Sequence, residues 1–126
     1  MNKEILDVLL VLFCLGGLFA SCVKDKTSAA TLDCSHNYVY ESADSFSIKP
    51  IIQLACSYQG CHERGASIGN FTDYNVLKSY VDNQKFFKRV IDNKDMPPSN
   101  ATLGPKSLTT EEIAQLQCWL DQGAQR

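Results

Sequence analysis

Residues Cys56-Ser57-Tyr58-Gln59-Gly60-Cys61-His62 place two thiols and an imidazole within seven positions of a 126-residue chain. The residues on either side read as short helices and loops arranged about this segment. Upstream, Ile48, Ile51, Ile52 and Ala55 fall at helical spacing on one face, so a helix is expected from Ser45 or Ser47 to Cys56, capped by one of those serines. Pro50 is tolerated only in the first turn, which favours the later start. Downstream, Cys56 to Thr72 is a glycine-bearing loop, and Thr72 is expected to cap a helix whose apolar positions are Val76, Leu77, Tyr80 and Val81. A short helix around Lys85 to Ile91 should bury Phe86, Phe87, Val90 and Ile91 and leave Lys85, Lys88 and Arg89 outside. Asp92 to Ser107 holds three prolines and a glycine and must be a loop. The last helix is the best marked. Thr109 and Glu112 form a capping box, Ile113, Leu116, Trp119 and Leu120 make the buried stripe, and Gly123 ends it. With no strand pair and no internal repeat, the fold class is all-α, three to five short helices with a long irregular loop before the last.

The N-terminus reads as removable. Lys3 gives a short positive start, and Val8 to Ala20 is an unbroken run of apolar and glycine residues that suits a signal peptide. Leu18-Phe19-Ala20-Ser21-Cys22 resembles a bacterial lipobox, in which Cys22 is lipidated and becomes the first mature residue; Phe19 departs from the leucine usual at that place. The alternative is an ordinary signal peptide with Cys22 incidental. The expected organisation is therefore a signal peptide at 1–21, a lipid-anchored flexible tether at 22–33 and one domain at 34–126. The protein is accordingly expected to be exported and anchored to a bacterial membrane, facing the periplasm or the cell surface. Loss of Lys3, Glu4 and Asp7 removes one base and two acids, shifting the formal charge from −2 to −1. Nothing in that balance suggests a nucleic-acid partner. A domain this small usually takes a covalent or cofactor staple.

Four cysteines remain to supply one: Cys34, Cys56, Cys61 and Cys118. Covalent haem c needs two thiols for thioethers and a histidine directly after the second, so that the imidazole falls beneath the iron. The Cys61-His62 adjacency meets that need, although the gap between the thiols is four residues where two are common. A small disulfide loop with an unrelated histidine is the competing reading of the motif alone. Apart from the initiator, Met96 is the one methionine, in Asp95-Met96-Pro97-Pro98. A residue before proline is held away from the α region, so Met96 is expected on a stiff extended loop, suited to the sixth position of haem iron. The bland reading is a methionine filling a core gap.

An apolar helix, Cys-x4-Cys-His, a Met-Pro-Pro loop and a closing helix together resemble the class I cytochrome c fold, in particular the short haem domains of bacterial lipoproteins. The likeness rests on Ile48-Lys49-Pro50-Ile51-Ile52, Leu108-Thr109-x-x-Glu112-Ile113 and Trp119-Leu120-Asp121-Gln122-Gly123-Ala124, and spans about Phe46 to Ala124. It implies one covalent haem c, with Cys56 and Cys61 as thioether donors and His62 and Met96 as axial iron ligands. It also implies crossing first and last helices, with Trp119 near Ile48 and Ile52. With the central thiols on haem, Cys34 and Cys118 are an even remainder on elements that meet in the family fold, and a disulfide between them follows from the resemblance. The alternative is two independent buried thiols. One departure stands out. Glu63, Arg64 and Gly65 follow His62 where many cytochromes c have a proline whose carbonyl orients the imidazole.

The implied activity is electron transfer between redox partner proteins rather than enzymatic turnover, because a methionine in the distal position leaves no open site for a substrate. Lys85, Lys88, Arg89 and Lys94 either steer an acidic partner, pair with haem propionates or form a wet helix face. His36, the other histidine, could serve as an alternative axial ligand, but its place in the polar lead-in makes a solvated side chain the expectation. The rival function is a haem-free, disulfide-stapled lipoprotein acting as a binding module, with Cys56 paired to Cys61. A zinc site from Cys56, Cys61 and His62 lacks a convincing fourth ligand.

Overall fold

The computed structural model describes residues 33–44, 46–105 and 107–126. The signal segment, Cys22, the tether as far as residue 32 and Ser45 lie outside the described residues. Four α-helices follow one another: α1 Lys49–Ala55, α2 Tyr74–Asp82, α3 Lys85–Phe87 and α4 Thr110–Asp121, with a π-helical turn, Lys88–Asp92, continuing α3. The described chain is all-α. Its only extended pairing is a single parallel bridge between Val39 and Ser47. None of the described helices is long and apolar enough to cross a membrane.

Two expected caps are corrected. At α1 the N-cap position belongs to Ile48, which contributes no side-chain bond, with Pro50 in the first turn. Ser47 lies one position before the cap, with its hydroxyl donating to the Tyr40 carbonyl at 2.9 Å. At α2 the cap is Asp73, whose carboxylate accepts from the Asn75 amide at 2.9 Å. Thr72 turns its hydroxyl and amide to the Asn70 side chain instead, at 2.7 and 3.0 Å. A carboxylate offers the stronger acceptor to the exposed amides of a helix start.

The expected helix over 85–91 is present but changes pitch. The Asn93 amide reaches back five residues to the Lys88 carbonyl at 2.9 Å, which widens the turn. Phe86 and Val90 are buried, whereas Phe87 and Ile91 are only half-buried. Helix α4 follows its local signals. The Glu112 amide donates to Thr109 Oγ1 at 3.2 Å and the Thr109 amide to Glu112 Oε2 at 2.7 Å. Gly123 takes φ +89°, a left-handed conformation that glycine adopts at little cost, and the Ala124 amide closes on the Trp119 carbonyl at 2.8 Å.

Ile48, Ile52, Leu77, Leu116 and Trp119 are fully buried and belong to one core with Phe71, Phe86 and Val90. What brings the first and last helices into that core is the segment before α1. Cys34 is bonded to Cys118 in α4, Cα to Cα 5.3 Å across 84 positions of sequence. The Gln122 side chain accepts from the Tyr38 amide at 2.8 Å and donates to the carbonyls of Cys34 and His36 at 3.1 and 2.8 Å. On its other side, the Tyr40 carbonyl receives the Lys49 amide at 3.0 Å, and the Tyr40 amide donates to Gln125 O at 2.9 Å. Residues 34–40 thus splice α1 to α4. Replacing both Cys34 and Cys118 by serine should lower unfolding free energy by about 2–4 kcal/mol in urea titrations; an unchanged midpoint would mean that Gln122 and the backbone bonds suffice.

Candidate cofactor site

The loop after α1 is closed on itself. The Cys56 amide caps α1 by donating to the Ile52 carbonyl at 2.9 Å, and the Cys56 carbonyl accepts from the His62 amide at 2.9 Å. Inside, the Cys61 amide donates to the Tyr58 carbonyl at 3.0 Å and the Gly60 amide to Glu63 Oε1 at 2.9 Å. The four-residue gap is therefore a compact turn that returns Cys61 and His62 to the end of α1.

His62 is held on three sides. Its ring stacks on Phe71 with centroids 3.7 Å apart and planes 5° from parallel, and Tyr80 meets it edge-on at 6.1 Å. Its Nδ1 faces the Gly69 carbonyl at 3.1 Å. A carbonyl can only accept, so in the neutral ring Nδ1 carries the hydrogen and Nε2 keeps the free lone pair. Gly69 has φ +97°, and a Cβ there would lie 3.1 Å from the Tyr80 ring; a side chain on the residue that presents this carbonyl would be strained and would crowd that ring. Burial holds the His62 pKa below its ordinary 6.5, opposed by the carbonyls of Gly69 and Ile68.

Met96 packs half-buried against the core from the loop that follows the π turn. That loop is fastened at its start, where the Asp95 amide donates to the Arg89 carbonyl at 3.0 Å and Arg89 Nε to the Asp95 carboxylate at 2.7 Å. The Met96–Pro97 peptide is cis.

Cys56, Cys61, His62 and Met96 all line one cavity of about 490 Å³, within the roughly 300–1,000 Å³ typical of small-molecule and cofactor sites. Its other walls are mainly apolar, from Ala55, Ile68, Phe71, Phe86 and Val90, with Lys85, Lys88 and Arg89 also contributing. Both thiols are free. Burial, reinforced by the neighbouring Cys61 and Glu112, pushes the Cys56 thiol up to about 12, so it stays protonated at neutral pH. Tyr58 lines the same cavity. Burial first, then the Cys61 thiol beside it, pushes its phenol up to about 12. The hydroxyls of Tyr58 and Ser57 are buried without a hydrogen-bond partner among the described residues.

Other candidates fall elsewhere. His36 is exposed, stacks on Phe46 at 4.1 Å and does not line the cavity. Among the described residues no three His, Cys, Asp or Glu side chains gather as a metal-holding group, which leaves the zinc reading without its ligand set. Gly69, Phe71, Tyr80 and Tyr58 are the site residues that the sequence reading missed. The one visible signal was a glycine at 69 in the loop, and the acceptor it offers is backbone. Comparison with known proteins finds no matching family model, curated protein or solved structure.

Because folding lowers the His62 pKa, the native state favours the neutral imidazole. Its contribution is fully present above about pH 6.5 and is lost as pH falls through the lower folded value. Urea midpoints of cofactor-free protein should accordingly fall from neutral to mildly acidic pH, and His62→Gln should remove that component. Parallel pH profiles for the two proteins would contradict the assignment.

Proposed function

We propose that this chain is an exported, lipid-anchored electron carrier holding one haem c in a class I cytochrome c-like fold. The observation that carries the reading is convergence. Two free thiols, an oriented imidazole and a loop methionine, drawn from the end of α1, its following loop and the loop after the π turn, line a single apolar cavity. The residues suit the group. The free thiols of Cys56 and Cys61 could each form a thioether by adding across a vinyl group, and His62 Nε2 has its lone pair free. The soft thioether of Met96 is a fitting sixth ligand. The Gly69 carbonyl fills the orienting role that a proline-borne carbonyl has in many cytochromes c, and by accepting from Nδ1 it raises the basicity of Nε2.

Bound there, haem would supply a one-electron iron couple whose potential is raised by Met/His ligation. The chain's own part is to exclude water with Ile68, Phe71, Phe86 and Val90, to keep His62 neutral by burial, and to hold the Met96 thioether at the same cavity. An iron held by both His62 and Met96 would have no position open to a substrate, which favours electron transfer. Export is supported by the apolar segment ahead of Cys22 and by the Cys34–Cys118 disulfide, a bond that persists in oxidising compartments. Redox partner proteins and a membrane, through the lipid on Cys22, complete the proposal. The rival binding module would draw Cys56 and Cys61 into a disulfide, whereas two free thiols lining one apolar cavity with His62 and Met96 support the haem reading.

Exported protein should show a Soret band and a sharp reduced α band that survive acid-acetone extraction; a colourless mature protein would end the proposal. Met96→Ala should keep the covalent haem yet lose the weak near-infrared sulfur-to-iron band, lower the potential and bind carbon monoxide readily. Under a packing role the same change would cost roughly 2–5 kcal/mol of stability if the side chain is buried and shift no haem band.

A further inference from the structure

The loop that carries Met96 is fastened at two points, and only the first is a conventional bond. Its start is tied by Arg89 and Asp95. Its far side rests on an aromatic ring. Gly104 has φ +72°, and a Cβ built there would lie 2.4, 2.6 and 2.7 Å from Cε1, Cδ1 and Cζ of Tyr58. Those are not distances that side chains share, so the Tyr58 ring lies directly against the Gly104 backbone. Tyr58 belongs to the four-residue gap between Cys56 and Cys61 and lines the same cavity as Met96. Its hydroxyl makes no hydrogen bond among the described residues. The Cys61 thiol lies beside that hydroxyl, and the ring is the part that meets the methionine loop.

We propose that Tyr58 is a latch for the methionine loop: its ring, seated on Gly104, ties the loop between the two thiols to the loop carrying Met96 and so holds the methionine over the cavity. This rests on the haem reading of the site and deepens it. The lengthened gap between the thiols then has a task, since it supplies a residue able to touch the distal loop. Tyr58 is a positioning residue acting through Met96. The latch sets how often the loop lifts and therefore how readily an outside ligand competes with the methionine sulfur. A loop that opens rarely weakens the apparent binding of any such competitor by the fraction of molecules that are open.

Imidazole titration of oxidised, exported, haem-loaded protein reads that fraction. Tyr58→Ala and Gly104→Ala should each tighten apparent imidazole binding by about tenfold or more, because the open fraction multiplies the intrinsic affinity. Both should weaken the near-infrared sulfur band while leaving the haem covalently attached. Tyr58→Phe keeps the ring and should behave as the parent. In a Met96→Ala background Tyr58→Ala should add nothing, an outcome that a merely structural role would not produce. Unchanged imidazole affinity in Tyr58→Ala overturns the latch, and so does a Tyr58→Phe protein as perturbed as Tyr58→Ala. If Tyr58→Ala does not accumulate, Gly104→Ala decides alone, and parent-like affinity there overturns the proposal. Parent protein without covalent haem overturns the reading of the site and the latch with it, whereas haem-loaded parent with unresponsive variants overturns the latch alone.

Discussion

The bond between Cys34 and Cys118 is the constraint on which the rest of the molecule depends. The helices among the described residues are short, α4 with 12 residues being the longest of them, and helices of this length are marginal in water without tertiary packing. Their shared core forms only if the two ends of the domain are brought together. The disulfide does this from one side of residues 34–40, and hydrogen bonds from Gln122, Gln125 and Lys49 do it along their length. With the ends spliced, Ile48 and Ile52 join Trp119 and Leu116 in one buried cluster. Helix α1 then ends at Cys56 beside the cavity.

From that position the chemistry of the candidate site follows from a few local effects. Burial keeps the Cys56 thiol protonated and the His62 ring neutral, two consequences of one apolar environment acting on an acid and on a base. The Gly69 carbonyl then selects which imidazole nitrogen is free. Gly69 lies close against the Tyr80 ring of α2, and the same ring meets His62 edge-on. The π turn has a comparable role. It supplies Val90 to the cavity wall and Arg89 to the bond that starts the methionine loop.

Signals carried by side chains close in sequence were legible without coordinates. The Thr109–Glu112 capping box, the Gly123 stop and the apolar face of α1 are of this kind, and the Cys61-His62 adjacency and the Met-Pro-Pro loop marked the site residues. The Cys34–Cys118 pairing was reached through the family resemblance, since nothing local joins residues 84 positions apart. The misses have physical causes. Ser47 looks like a cap, but the tertiary fold starts the helix one residue later and turns the serine hydroxyl to the Tyr40 carbonyl, and Asp73 outcompetes Thr72 once Asn70 occupies the threonine. Gly69 acts through its backbone, which every residue possesses. The seating of Tyr58 on Gly104 joins two loops that no periodicity relates.

The account stands or falls on what Cys56 and Cys61 are bonded to in the exported protein. Peptide mass spectrometry of the mature chain, digested without reduction, reads this directly. The account predicts that the peptide containing Cys56 to His62 carries the mass of one haem through two thioethers, while Cys34 and Cys118 remain linked to each other. A Cys56–Cys61 disulfide, or two unmodified thiols in that peptide, would contradict it.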